Sequence, residues 1–315
     1  MLRNGYYAFC LLIVFNAHAV EQKLQPLEEI IWLQSYTPPF HIAKSESAPQ
    51  GGICDNLTEQ LIRTITDVKH TRLIVPQQRI NKYLSEGKSV CFPCVIYKKH
   101  NNQLLNYSNP TTVYPPFSII TTKELKPKLE EKHGSPIHLI NLLTDPQYVY
   151  GQAAARKFTT KINTIIENTK QDKESSLSWS SENESQAVIA RLSHGFLDYS
   201  IDYPFMADYF NKQGEYTNIR IYEYTNIESV PIAENDIQFI RGAIGCAANA
   251  PNNFAQQALK KINRALKNNV LQSPEYQQSQ HNWLKTTFAD FDQHYQQQVI
   301  NFYLLATDAQ ASTDR

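Results

Sequence analysis

Cysteines are the most reactive side chains this sequence offers. Cys91-Phe92-Pro93-Cys94 has the spacing of a redox dithiol, and Cys54 and Cys246 make the number outside the N-terminal leader even. A redox dithiol normally opens a helix, where the dipole lowers the thiol pKa. This one lies in Ser89–Tyr97, a stretch rich in Val, Ile and aromatics that reads as a strand. Structural bridging is therefore expected ahead of redox or metal chemistry. Four cysteines allow three pairings, and sequence does not choose among them. Other catalytic constellations are poor. There is no Gly-x-Ser-x-Gly elbow. His133, His138 and His194 lack metal-ligand spacing within a helix. Glu28-Glu29 and Glu130-Glu131 are adjacent, so their carboxylates diverge and read as solvated. No metal, cofactor or enzymatic activity is expected.

The stretch that could position a ligand is Glu29–Asp55. Ile30–Leu33 is a short apolar run, as in a strand buried on both faces. Pro38 and Pro39 stop it. The chain returns through Gly51-Gly52 to Asp55, which can cap the next helix or point into a cleft. Tyr36 and Phe40 could form an aromatic platform there.

Length and composition bound the rest. The chain has 315 residues, enough for two lobes. Lys+Arg and Asp+Glu are both 30, with no basic stripe, so nucleic acid is not an expected partner. Neither phosphate-loop nor dinucleotide glycine patterns can be written. Residues 1–19 read as an export signal. Arg3 precedes an apolar core, Tyr6–Phe15, that is too short to span a bilayer, and Ala17-His18-Ala19 has the form of a cleavage site. Cys10 sits in that core without a lipobox. The expected product begins at Val20 in the periplasm.

Downstream, the pattern predicts helix 55–66, strand 71–75, helix 77–85 and strand 89–97, half of a doubly wound sheet. Tyr114–Ile120 reads as an extended crossing. Beyond it, strands are expected at 137–143, 148–150, 196–203 and 219–224. Helices are expected at 158–168, 184–193 and 205–212, the last stopped by Gly214. Asn168–Ser185 reads as a loop with one short strand. Gln238–Cys246 reads as a returning strand, followed by helices at 253–267 and 273–307.

These features resemble the bacterial family 3 extracellular solute-binding proteins, a divergent branch of the type II periplasmic binding proteins. The motifs are Tyr36-Thr37-Pro38-Pro39-Phe40, Gly51-x-x-x-Asp55, Val75–Arg79 with Leu84–Gly87, Tyr107-Ser108-Asn109-Pro110, Leu192–Asp198, and Asn263-Arg264-Ala265-Leu266 within Ala243–Leu266. They follow the family's order over nearly the whole exported chain. The resemblance implies an α/β fold of two lobes, each a mostly parallel sheet flanked by helices, joined by a double-crossover hinge. Lobe one would be 20–112 plus 238–315, and lobe two 113–237. The implied function is a monomeric periplasmic protein that closes on a small polar solute and delivers it to a membrane permease, or presents it to a sensor. An envelope partner protein without a transport role, or a scaffold turned enzyme, are the alternatives.

The implied ligand residues are Ser108 and Thr111, where the family places hydroxyls, and Asp202 and Tyr203 in lobe two. Arg79, and Gly151 with Gln152 near an expected helix start, could take polar or anionic groups. Two family anchors depart. The arginine that holds an α-carboxylate falls on Asn102, and no arginine lies between Arg79 and Arg156. The aspartate that holds an amine falls on Tyr203, one residue past Asp202, and that offset points a strand side chain to the other face. A neutral or weakly polar ligand held by tyrosines and amides fits as well as an amino acid.

Overall fold

A computed structural model describes residues 25–42, 51–154, 156–169, 176–179, 183–216 and 226–304. The leader and the expected strand at 219–224 lie outside these residues. Strand β1 (Glu29–Gln34) buries Ile30, Trp32 and Leu33 completely, because it runs between two parallel neighbours. The chain turns at Pro38-Pro39, a cis peptide, and comes back at Gly51, whose φ of +70° suits glycine. A Cβ on Gly52 would collide with the Phe40 carbonyl. That carbonyl instead accepts the Cys54 amide at 2.8 Å, at the start of helix α1 (Ile53–Thr64). Strand β2 (Lys69–Ile74), helix α2 (Gln77–Ser85) and strand β3 (Val90–Ile96) complete the parallel half. Short strands β4 (Leu105–Tyr107) and β5 (Thr112–Tyr114) follow.

The chain then leaves this sheet. Strand β6 (Ser118–Thr122), helices α3 (Lys126–His133) and α4 (Leu139–Thr144), strand β7 (Tyr150–Ala153), helix α5 (Thr160–Thr169), strand β8 (Ser176–Trp179), helix α6 (Glu184–Ser193), strand β9 (Tyr199–Asp202), helix α7 (Pro204–Tyr216) and strand β10 (Ile227–Pro231) build a second lobe. Its sheet has the order β10-β6-β9-β7-β8, with β7 parallel to β8 and β9. Strand β11 (Ile240–Ala247) returns to the first sheet, giving the order β2-β1-β3-β11-β4, with β5 on the other end of β11. β11 is antiparallel to all three of its partners. Helices α8 (Phe254–Ala265), α9 (Pro274–Leu284) and α10 (Phe291–Tyr295) finish lobe one. The Asn263 side chain accepts the Asn109 amide at 2.9 Å, fastening α8 to the turn before β5.

The crossings are adjacent. β5 carries the first sheet to Tyr114 and β6 opens the second at Ser118, so the chain crosses two residues later than the 112/113 division read from sequence. The return crossing lies between Pro231 and Ile240, and Asn235 on it donates to the Phe117 carbonyl at 2.6 Å.

Three expected elements are corrected. Residues 137–143 are not a strand: only Ile137 bridges to Ile232, and Leu139, Leu142 and Leu143 form the buried face of α4. Glu234 accepts the Leu139 and Ile140 amides, supplying from a distance the cap the local sequence lacks. Gly214 does not end α7, which runs on to Tyr216; an interior glycine costs about 1 kcal/mol, which tertiary packing can override. The expected helix 273–307 breaks between α9 and α10, where Phe288 turns in to pack on Phe291 and His294.

The cysteines of the Cys-x-x-Cys motif do not pair with each other. Cys91 bridges Cys246, its cross-strand partner on β11, and Cys94 bridges Cys54 in the first turn of α1. Cys94 reaches α1 because Pro93-Cys94 form a bulge opposite Ile244, with Cys94 at φ +61°. Non-reducing peptide mapping should recover these two bridges and no Cys91–Cys94 peptide. Because Cys91 and Cys246 are 155 residues apart, replacing both with alanine should lower unfolding stability by about 2–5 kcal/mol in denaturant titration.

Candidate ligand-binding cleft

The loop after β1 is built around one carboxylate. Asp55 accepts from His41 Nδ1 (2.8 Å), the Gln34 amide (2.9 Å), the Ile42 backbone (2.7 Å) and the Gly52 backbone (3.0 Å). Burial pushes this carboxyl up, but the His41 bond and charge and the two backbone amides outweigh it, leaving it below the ordinary range. Both arms of the loop therefore close on Asp55, and the aromatic side chains between them are fixed. Ser35 adds a hydroxyl bond to Gln77 on α2 at 3.0 Å. Phe40 projects from this loop against Tyr114, Tyr203 and Phe205, with ring centroids 5.3–5.7 Å away.

Lobe two presents the opposing wall. Arg156 follows β7 and forms an ion pair with Asp202, the last residue of β9. Its guanidinium lies over the rings of Tyr203 (5.1 Å) and Phe117 (5.4 Å), which stack on each other at 4.3 Å. Phe205 stacks on the other side of Tyr203 at 5.0 Å. Burial pushes the Asp202 carboxyl up, with Arg156 and the Tyr203 amide pulling it down. Burial also pushes the Tyr203 hydroxyl well above its usual range.

Between these walls lies a cavity of about 330 Å³. It meets the residues that follow the carboxyl ends of β1, β7 and β9, the position where open α/β sheets bind ligands. Lobe one contributes the 35–41 loop, one face of α2 (Gln77, Asn81 and Leu84), Phe92–Ile96 and the loop before β4. Lobe two contributes Ala153, Arg156–Phe158, the start of α6 and Tyr203. Its size is at the low end for small-molecule sites.

Of the residues singled out in the sequence, the cavity wall includes Tyr36, Phe40 and Tyr203. Asp55 is the loop's organising acceptor behind that wall, since all its bonds run to local backbone and side chains. Arg79 is exposed on α2, away from the cavity. Ser108 is buried, taking the Ile244 amide at 2.9 Å and donating to the Asn109 carbonyl at 2.7 Å, so its hydroxyl secures the turn to β11. Thr111 is buried beneath α9, its carbonyl accepting from Tyr276. Gly151 and Gln152 are interior to β7 rather than at a helix start, and Gln152 accepts the Tyr150 hydroxyl. Asp202 is off the wall, committed to Arg156.

Arg156, Lys157 and Lys98, none of them singled out by sequence, are all on the wall. The usable signal was the position of Arg156 just past a parallel strand. Asn102, at the family's arginine position, is on the wall too. It donates to the Tyr107 hydroxyl and accepts the Leu104 and Leu105 amides, so it shapes its own loop. No group of three metal-ligating side chains occurs among the described residues.

No protein-family model and no curated protein sequence matches the chain. Solved structures do. An ancestral arginine-binding protein bound to arginine is 15% identical over 82% of this chain and 99% of its own, with a TM-score of 0.57. A histidine kinase sensor domain with similarity to periplasmic binding proteins is 11% identical over 82% and 96%, TM-score 0.58. A substrate-binding protein of an ABC uptake transporter from Streptococcus pneumoniae, with bound histidine, is 13% identical over 81% and 91%, TM-score 0.56. The fold is that of the type II periplasmic binding proteins. The cavity described above lies between the lobes, with Phe117 of the first crossing packed directly behind its wall residues Tyr203 and Phe158.

Two measurements test this geometry. Asp55→Asn should cost about 2–4 kcal/mol at pH 7, because it removes the charge that four donors share. The folded carboxyl titrates below its unfolded value, so its contribution is complete above about pH 4 and fades as the pH falls further. The gap between the two proteins in denaturant titrations should shrink over that range. Arg156→Met should cost about 3–5 kcal/mol by leaving Asp202 buried and unpaired, and Arg156→Met with Asp202→Asn should recover much of the loss in a double-mutant cycle.

Proposed function

We propose that this chain is a periplasmic solute-binding protein that closes on a small polar solute and hands it to a membrane transporter, acting by binding rather than catalysis. The observation that carries the reading is the cavity walled by both lobes at the carboxyl ends of their parallel strands. A solute there touches both lobes at once, so its binding energy favours the closed arrangement. Tyr36 and Phe40 from lobe one and Tyr203 from lobe two are the proposed contacts, with the lobes divided at the crossings 115–117 and 232–239. The leader pattern read at residues 1–19 supports a periplasmic location, and the paired cysteines suit an oxidising compartment. No described helix is long and apolar enough to cross a membrane. A sensory role is the second reading, favoured by the fold likeness to the histidine kinase sensor domain.

A thermal-shift panel on the oxidised protein tests the proposal. It should hold amino acids, small peptides, polyamines, sugars and organic anions, after unfolding and refolding to strip carried-over solute. A solute at a hundred times its dissociation constant adds about 2.7 kcal/mol and should raise the midpoint by about 4–5 °C. Small-angle scattering with the same solute should show a smaller radius of gyration. A flat panel would remove the binding reading and leave the envelope-partner alternative.

A further inference from the structure

We propose that the cleft selects a small carboxylate-bearing anion that carries no ammonium group, and that Arg156 is the residue that selects it. The inference rests on the cavity being a ligand cleft and names the chemistry of what fills it. Besides tyrosines, the charged or titratable side chains on the wall are His41, Lys98, Arg156, Lys157 and Glu184. His41 is committed to Asp55. Glu184 is buried and has a partner, although its Oε1 accepts no hydrogen bond among the described residues. Lys98 and Lys157 are exposed and make no ion pair among the described residues.

The cations come from opposite sides. Lys98 belongs to lobe one, and Arg156 and Lys157 belong to lobe two. Drawing the lobes together brings like charges toward each other, which costs free energy unless an anion sits between them. An anionic solute therefore both gains contacts and removes the penalty on closure, coupling binding to motion. A cationic or zwitterionic solute adds an ammonium to a wall already rich in positive charge.

Arg156 has the donors for this role. A guanidinium presents five N–H groups in one plane. Asp202 takes an Nη2 hydrogen, Nε is buried out of reach, and Nη1 makes no hydrogen bond among the described residues, so the free edge is the Nη end. Tyr203 and Phe117 lie within 5.1–5.4 Å of the guanidinium carbon, and neither ring face accepts its in-plane hydrogens as a carboxylate would. A carboxylate takes them in two parallel bonds. Of the acids near the cavity, Asp202 is off the wall and held by Arg156, and Glu184 is the single carboxylate among the described residues of the wall, against three cations. Phe40, Phe92, Phe158 and Tyr203 offer apolar surface to the body of the solute.

Matched pairs separate the possibilities. Titration calorimetry on the oxidised protein should compare glutarate with glutamate and 3-phenylpropanoate with phenylalanine, with putrescine as the cation. In at least one pair the acid should bind about tenfold or more tightly than its amino acid, and putrescine should not bind. Arg156→Lys, which keeps the charge and loses the fork, should weaken that acid by roughly tenfold to a hundredfold. Lys157→Gln, at an exposed position, should weaken it by about threefold and reduce the salt dependence. Unchanged affinity in Arg156→Lys with a native circular dichroism spectrum overturns the role of Arg156. Preferential binding of an amino acid or putrescine, lost in Glu184→Gln, overturns the anion inference and leaves the binding function standing. Failure of all five probes overturns the inference as well, while a sugar or peptide hit in the wider panel would keep the binding function.

Discussion

The returning strand β11 is the constraint on which the molecule depends. It enters the first sheet between β3 and the β4–β5 pair, so neither of those can be completed until the second lobe has been traversed. Three strands, one disulfide and the start of α8 all take their positions from it. Closing so long a loop costs little more entropy than closing one of half the length, because the cost grows only with the logarithm of length. Folding of the insertion as a lobe reduces the cost further by bringing its ends together at the paired crossings.

Around that frame, the cleft is assembled from short connections rather than long loops. The lobe-one wall is drawn tight by Asp55, whose four donors come from β1, both arms of the loop and the helix start. The lobe-two wall is an ion pair set among aromatic rings. Such a pair contributes little net stability, since desolvation offsets attraction. Its value is positional: Asp202 fixes the plane of the Arg156 guanidinium, and the rings of Tyr203 and Phe117 fix its height.

Much of the fold was visible in the sequence. The apolar run at Ile30–Leu33 and the four-residue spacing of Leu57, Leu61 and Ile65 announced β1 and α1, because burial imposes those periods. Lobe two was harder. The run 137–143 reads equally as strand or helix, and Glu234, remote in sequence, decides for helix by capping α4. In the cleft, the one-residue offset between Asp202 and Tyr203 could be counted, and Tyr203 alone is on the wall. Arg156 could not be found the same way. Its place depends on β7 ending at Ala153, three residues beyond the expected Tyr150, and on Asp202, which is distant in sequence and joins it only through the parallel pairing of β7 with β9.

The disulfide pattern carries a consequence for biosynthesis. A chain that emerges N-terminus first exposes Cys54, Cys91 and Cys94 together, long before Cys246 appears. The two bridges interleave, so Cys91 must be left unpaired while its nearest neighbours find each other. The two cysteines nearest in sequence, Cys91 and Cys94, would give a loop that the finished molecule does not contain. Maturation therefore favours either a thiol kept waiting or an isomerase that corrects the first choice. The yield of correctly joined protein is then set by the cell's capacity for shuffling as much as by the stability of the fold.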